Sequence, residues 1–157
     1  MNATQKLEGL PEEAAKRREG MRLLARASLA ELKTAWQAIA DKPEIFAVRG
    51  PETGLVMVRG RIGGGGDAFN LGEATVSRAT VRLSSGEIGH GQLLGTDKER
   101  ARYAAIFDAL LQTGKYRSAV EALHRLIAAR IDAEDRRKAE ETAATRVDFF
   151  TMVRGDD

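Results

Sequence analysis

Apolar residues recur at helical spacing towards both ends of the chain and alternate with polar ones in the middle. Between Glu12 and Ala27, the residues Met21, Leu23, Leu24 and Ala27 fall near one stripe of a helix. The pattern restarts at Ser28. Ser28 and Glu31 have capping-box spacing, in which a hydroxyl and a carboxylate satisfy free backbone N–H groups at a helix start. A second helix is predicted to about Ala40, with Leu29, Leu32, Trp36 and Ile39 as its apolar stripe. Asp41 and Pro43 end it, because proline disfavours helical geometry in the residue before it.

The period then shortens to two. Ile45 to Val48 reads as a short strand, Pro51–Gly54 as a turn, and Leu55 to Ile62 as a second β segment broken by Gly63–Gly66. Ala74 to Leu83 is the clearest strand. Thr75, Ser77, Ala79, Val81 and Leu83 point one way, and Val76, Arg78, Thr80 and Arg82 the other. Ser84-Ser85-Gly86-Glu87 predicts a hairpin turn and Ile88 to Leu94 its return strand. An antiparallel sheet with one polar face accounts for the alternation.

Thr96 and Glu99 repeat the capping-box spacing before a helix with Tyr103, Ile106, Phe107, Leu110 and Leu111 on its apolar face, stopped by Gly114. A further helix over about Tyr116 to Ala129 carries Val120, Leu123 and Ile127. Ile131 to Arg146 is very polar and predicts a helix with little to bury. Val147 to Val153 is apolar and β-prone. No repeat or linker divides the chain, so one domain is expected over 1–157. Residues 1–10 are expected to be flexible, and 147–157 to form a final strand or a partner-docking tail. The order of helix block, strand block and helix block argues for an α+β fold, an antiparallel sheet with helices on its N- and C-terminal sides.

The length of 157 residues suits one domain with its own core. Cysteine is absent, which excludes disulfides, thiolate metal ligands and a cysteine nucleophile. The net charge is only +2, so a nucleic-acid footprint would need a segregated basic patch, and the sheet face lacks interleaved aromatics for base stacking. No apolar run approaches the roughly 20 residues of a membrane span, and the first 20 residues have no signal-peptide core. A cytoplasmic protein is expected, with neither nucleic acid nor membrane as partner.

The chemistry on offer is sparse. Arg59, Gly60 and Arg61 lead into Gly63, Gly64, Gly65 and Gly66, where backbone N–H groups could converge on a phosphate and the arginines add charge-assisted hydrogen bonds. The run lacks the Gly-Lys-Ser/Thr ending of a Walker A loop. A strand connection or bulge is the simpler reading of the same glycines. Arg78 and Arg82 flank Thr80 on one strand face. Together with Arg59 and Arg61 they would make a basic sheet face suited to solvent, an anion or an acidic partner protein. His90, in Gly89-His90-Gly91, sits where backbone could approach a ligand closely and is a candidate acid or base. His124 reads as a helix residue beside Leu123. Two histidines and no cysteine give no zinc-site spacing, and no nucleophile elbow is present. The apolar C-terminal residues Phe149, Phe150, Met152 and Val153, with Arg154, could add a strand to a partner or fold onto the chain's own core.

Several of these segments resemble one family. Glu52-Thr53-Gly54-Leu55-Val56, the loop from Arg61 to Gly66, Phe69, Gly72 through Leu83, Gly95-x-Asp97 and Asp108-Ala109-Leu110-x-Gln112 resemble the middle of PhnG proteins. Thr145 to Asp156 is similar to the family's ending almost letter for letter. The likeness covers nearly the whole chain and is looser over the first ten residues and between Lys115 and Ala144. It implies a G subunit of the bacterial carbon–phosphorus lyase core complex, assembled with the H, I and J subunits and working with the L protein. The I subunit, as the implied direct contact, is associated with displacing adenine from ATP by a phosphonate. The J subunit carries the later iron–sulfur radical chemistry. ATP and phosphonate would be substrates of the complex, with no cofactor bound by this chain and no catalytic residue carried over to it. An accessory component of a transferase complex, not catalytic alone, is therefore expected. Alternatively, its arginines contribute to a shared active site between subunits. The isolated chain could be a monomer or a homodimer.

Overall fold

The computed structural model describes residues 11–61 and 66–144. In chain order they form α1 (Glu12–Arg26), α2 (Leu29–Ala38), β1 (Ile45–Gly60), β2 (Phe69–Leu83), β3 (Ile88–Leu94), α3 (Lys98–Leu111) and α4 (Arg117–Ala144). The fold is α+β, as expected. The strands make one antiparallel sheet in the order β1-β2-β3.

Local chemistry starts and stops these elements. Ser28 accepts from the Glu31 backbone while the Glu31 carboxylate accepts from the Ser28 backbone, so the capping box of α2 forms. Ahead of α3 the expectation shifts by one residue. Asp97, not Thr96, is the cap, and its carboxylate accepts from the Arg100 backbone at 2.9 Å. A carboxylate is the stronger acceptor and complements the positive end of the helix dipole. Gly86, at φ +109°, turns the β2–β3 hairpin.

Two expected boundaries disappear. The turn predicted at Pro51–Gly54 is instead part of one continuous strand, and the register shifts twice between Ala47 and Glu52. Two extra residues flip the side-chain alternation and then restore it, so Ala47 and Thr53 lie on the same face. Pro51 is tolerated because β1 is an edge strand. Likewise, the two helices expected on either side of Ala129–Ile131 are a single 28-residue α4. Its Val120, Leu123, Ile127 and Ile131 are buried, and the polar remainder runs on beyond them. Nothing in Ala129–Arg130 breaks a helix, and Arg130 is held by its own ion pairs.

The core lies between the sheet and α3, with α1, α2 and α4 behind. α3 touches all three strands. Ser77, Ala79, Val81 and Leu83 face it and are buried, as the alternation predicted. Val76, on the opposite face, is buried too, between its partners Gly54 and Leu94. Beyond the predicted stripe of α3, its alanines matter most. Ala101, Ala105 and Ala109 form an i, i+4, i+8 ridge seated against Gly89 and Gly91 of β3. A Cβ on Gly89 would fall on the Ala105 carbonyl oxygen, and one on Gly91 on that of Ala101, both well inside van der Waals contact. The Gly-His-Gly segment therefore admits a helix backbone rather than a ligand. Phe107, Ile106 and Leu110 of α3 complete the core with Leu24, Leu32, Leu83 and Ile127.

Candidate functional site

The outer face of the sheet, away from α3, carries the polar chemistry. Strand register places Phe46, Arg82 and Ile88 in one row, Thr80 and His90 in the next, then Glu52, Arg78 and Gln92. Paired residues in an antiparallel ladder share a face, so these side chains are neighbours. Arg78 Nε donates to Glu52 Oε1 at 2.6 Å, and Arg49 Nε donates to the same oxygen at 2.8 Å. The Arg78 hydrogen bond, helped by the charge of Arg49, holds the Glu52 carboxyl below the usual carboxylate range. The Arg82 guanidinium stands 5.3 Å from the centre of the Phe46 ring, within cation–π range. Thr80 Oγ1 and His90 Nδ1 are 3.2 Å apart. Two arginines share the one Glu52 carboxylate and Arg82 adds a third positive charge, which leaves this face positive, and its side chains are largely exposed.

Arg59 and Arg61 are elsewhere. Arg59 pairs across the ladder with Asn70, eight positions along β2 from Arg78, or about 27 Å at strand rise. The four arginines singled out in the sequence thus fall into two separate groups. Arg59 Nη2 donates to the Ala68 carbonyl at 3.0 Å, which ties β1 to the start of β2. Arg61 is exposed just beyond the end of β1. Gly66 has φ +104° and open space where a Cβ would stand. Gly63, Gly64 and Gly65 lie outside the described residues, as do Phe149, Phe150, Met152, Val153 and Arg154.

Two buried or half-buried polar clusters were not singled out in the sequence. Asp108 is 1% exposed on α3 and accepts from Arg17 Nε and Nη2 and from the His90 backbone N–H. Arg17 also donates to the Ile88 carbonyl at 3.1 Å. On the other side, Arg130 of α4 binds Glu31 through two nitrogens, Glu134 through a third contact, and the Arg26 carbonyl. Burial alone would push the Glu31 carboxyl up, but the Arg130 and Ser28 hydrogen bonds outweigh it and hold it down. Both clusters brace helices. An isolated Asp in an Ala-rich helix stripe was the only sequence signal for the first.

A groove of about 730 Å³ runs between α2 and α4, with Ala35, Ala38, Ala119, Ala122 and Leu126 among its lining. Its walls are mostly apolar, and the charged groups on its lining are Glu31 and the ion-paired Asp41 and Lys115. Among the described residues no group of three or more His, Asp or Glu is placed to hold a metal ion. No helix of the described residues is long and apolar enough to cross a membrane.

Comparison with known proteins agrees with the resemblance. Residues 15–155 match the family described as phosphonate metabolism protein PhnG. A relative from Rhizobium meliloti (strain 1021), the alpha-D-ribose 1-methylphosphonate 5-triphosphate synthase subunit PhnG, is 80% identical over 143 residues. That alignment spans 91% of this chain and 92% of the relative. With a family match over most of its length and a relative this close, the chain belongs to the PhnG family of phosphonate metabolism proteins.

Proposed function

We propose that this protein is an accessory subunit of the assembly that joins a phosphonate to ATP. In that reaction a phosphonate oxygen forms a bond to C1′ of the ribose. The bond from C1′ to N9 of adenine breaks, and adenine leaves. The product is a ribose 1-phosphonate 5-triphosphate. The observation that carries the reading is 80% identity to a named synthase subunit along nearly the whole chain. The described residues support an accessory role, because their polar clusters brace helices or lie open on a sheet face. The partners are the H, I and J subunits and the L protein, with I as the direct contact, in the cytoplasm. ATP and phosphonate are substrates of the assembly, and this chain contributes no cofactor of its own. The C-terminal residues Phe149, Phe150, Met152, Val153 and Arg154 serve as a partner-docking element.

Co-expression with the I, H and J subunits, with a tag on one partner only, tests the reading. Co-elution in size exclusion is expected. Adenine release from ATP and methylphosphonate is expected from the assembly with the L protein, and not from this chain alone. Separate peaks from well-folded proteins, or adenine release by the isolated chain, would sink it.

A second reading has this chain lend arginines to a shared active site. The exposure of Arg61 beside the glycine run favours it. Preorganised positive groups at a subunit boundary would offset charge on the triphosphate or phosphonate as adenine leaves. Arg61→Ala should then slow the assembled enzyme without dissolving it. Unchanged kinetics for Arg61→Ala and Arg59→Ala would remove this reading.

A further inference from the structure

β1 and β2 outrun the rest of the fold. β3 ends at Leu94, opposite Val76, so among the described residues the sheet has only two strands from Leu55 and Thr75 outward. The described part of this arm pairs Leu55–Gly60 with Phe69–Thr75. Its apolar side chains are not covered by the helices. Leu55 is 64% exposed, Met57 55%, Phe69 46% and Leu71 53%. They also occupy both faces. Leu55 and Met57 continue the helix-side face of Thr53, and Val56 and Val58 the opposite one. A two-stranded ribbon is marginal in water without a third element to cover it. Leu71 folds over Gly60, where a Cβ would meet its Cδ1 at 2.5 Å, but this covers little of the ribbon.

Charge and area narrow the occupant. The described arm carries Arg59, Arg61, Asp67 and Glu73, two of each sign, so it offers no net charge to a polyanion or an anionic membrane. Seven residues of strand span about 24 Å, and two strands about 10 Å in width. One face therefore presents only about 240 Å². A stable interface takes about 800 Å² from each partner. Covering one face falls well short, whereas enclosing both faces and both open edges of a ribbon about 10 Å thick reaches about 960 Å².

We propose that the β1–β2 arm inserts into an apolar slot of a partner subunit, which closes over both of its faces. This rests on the subunit reading above and adds where and how the chain is gripped. Main-chain pairing along an open edge would set the register, and Leu55, Met57, Val58 and Leu71 would fill the slot.

The test uses the full chain co-expressed with the I, H and J subunits. Leu55→Asp changes one face and Val58→Asp the other. Each is expected to weaken co-elution at least tenfold while far-UV circular dichroism and Tm of the isolated chain stay unchanged. Loss from only one face would mean that the arm lies flat on its partner, and would overturn the enclosure. Wild-type co-elution retained by both variants would overturn the arm proposal and leave the subunit reading intact. Failure of the wild-type chain to co-elute would overturn both. Amide exchange of the wild-type chain is a measurement independent of the variants. Amides of Leu55–Arg59 and Phe69–Glu73 are expected to slow at least tenfold in the complex, and unchanged rates would overturn the proposal. Slowing by anionic lipid vesicles but not by the subunits would assign the arm to a membrane instead and overturn it equally.

Discussion

Arg17 and Asp108, 91 positions apart, meet as a two-pronged ion pair, with Nε 2.9 Å from Oδ1 and Nη2 2.8 Å from Oδ2. The pair ties α1 to α3, and through the His90 N–H and the Ile88 carbonyl it also ties both helices to β3. Removing only the guanidinium leaves a buried carboxylate with one backbone donor. Arg17→Met is therefore expected to cost about 2–4 kcal/mol, towards the lower end because Arg17 is partly exposed. Urea unfolding of the isolated chain measures it, and a loss below about 0.5 kcal/mol would show that the pair is dispensable.

The fit of α3 on β3 leaves no room for a methyl group. Gly89→Ala and Gly91→Ala each place a Cβ against helix backbone, which cannot rotate away as a side chain can. Overpacking of this kind costs about 3 kcal/mol or more. Gly54→Ala, with nothing within 4 Å of its Cβ, is the control and should change Tm little. Equal Tm values for Gly91→Ala and Gly54→Ala would contradict the packing described.

Glu31 serves two elements at once, capping α2 and anchoring Arg130 of α4. Glu31→Ala should cost more than cap loss alone, about 2–3 kcal/mol against about 1 kcal/mol for Ser28→Ala. A double-mutant cycle of Glu31→Ala with Arg130→Ala should give a coupling of about 1 kcal/mol or more. Strict additivity would mean that the contact contributes nothing.

His124 adds a pH dependence. Burial holds its imidazole below the usual range, against opposing pulls from Glu121, Asp108 and Glu19, and its Nε2 is buried without a hydrogen-bond partner. The unfolded chain takes up this proton near pH 6.5, before the folded chain does. Its contribution to stability is therefore complete above about pH 6.5 and is lost as the pH falls from there through the folded-state value. The slope is at most about 1.4 kcal/mol per pH unit. Comparing unfolding of wild type and His124→Leu between pH 7.5 and 5 isolates it, and parallel curves would exclude it.

Much of the architecture was legible because it rests on local periodicity. The β3 strand appears where Ile88 to Leu94 predicted it, and the capping box at Ser28 forms. The misreadings have one source. Pro51–Gly54 looks like a turn in isolation, yet pairing with Ser77 and Arg78 carries β1 straight through it. Gly89 and Gly91 look like an opening for a ligand, yet the alanine ridge of α3, ten or more residues away, occupies it. The arginines looked like one face, because strand parity says which side a residue points to and not how far apart two residues lie.

The sequence by itself determined most of the elements, the α+β class and the family, since helical and strand periods, caps and the PhnG segments are written in short stretches of chain. Tertiary structure alone decided that Arg17 neutralises Asp108, that glycine faces alanine between β3 and α3, and that, among the described residues, β1 and β2 extend beyond β3 with no third strand beside them. Each of these depends on which distant residues burial brings together and on which it leaves without cover, and no short-range pattern encodes that.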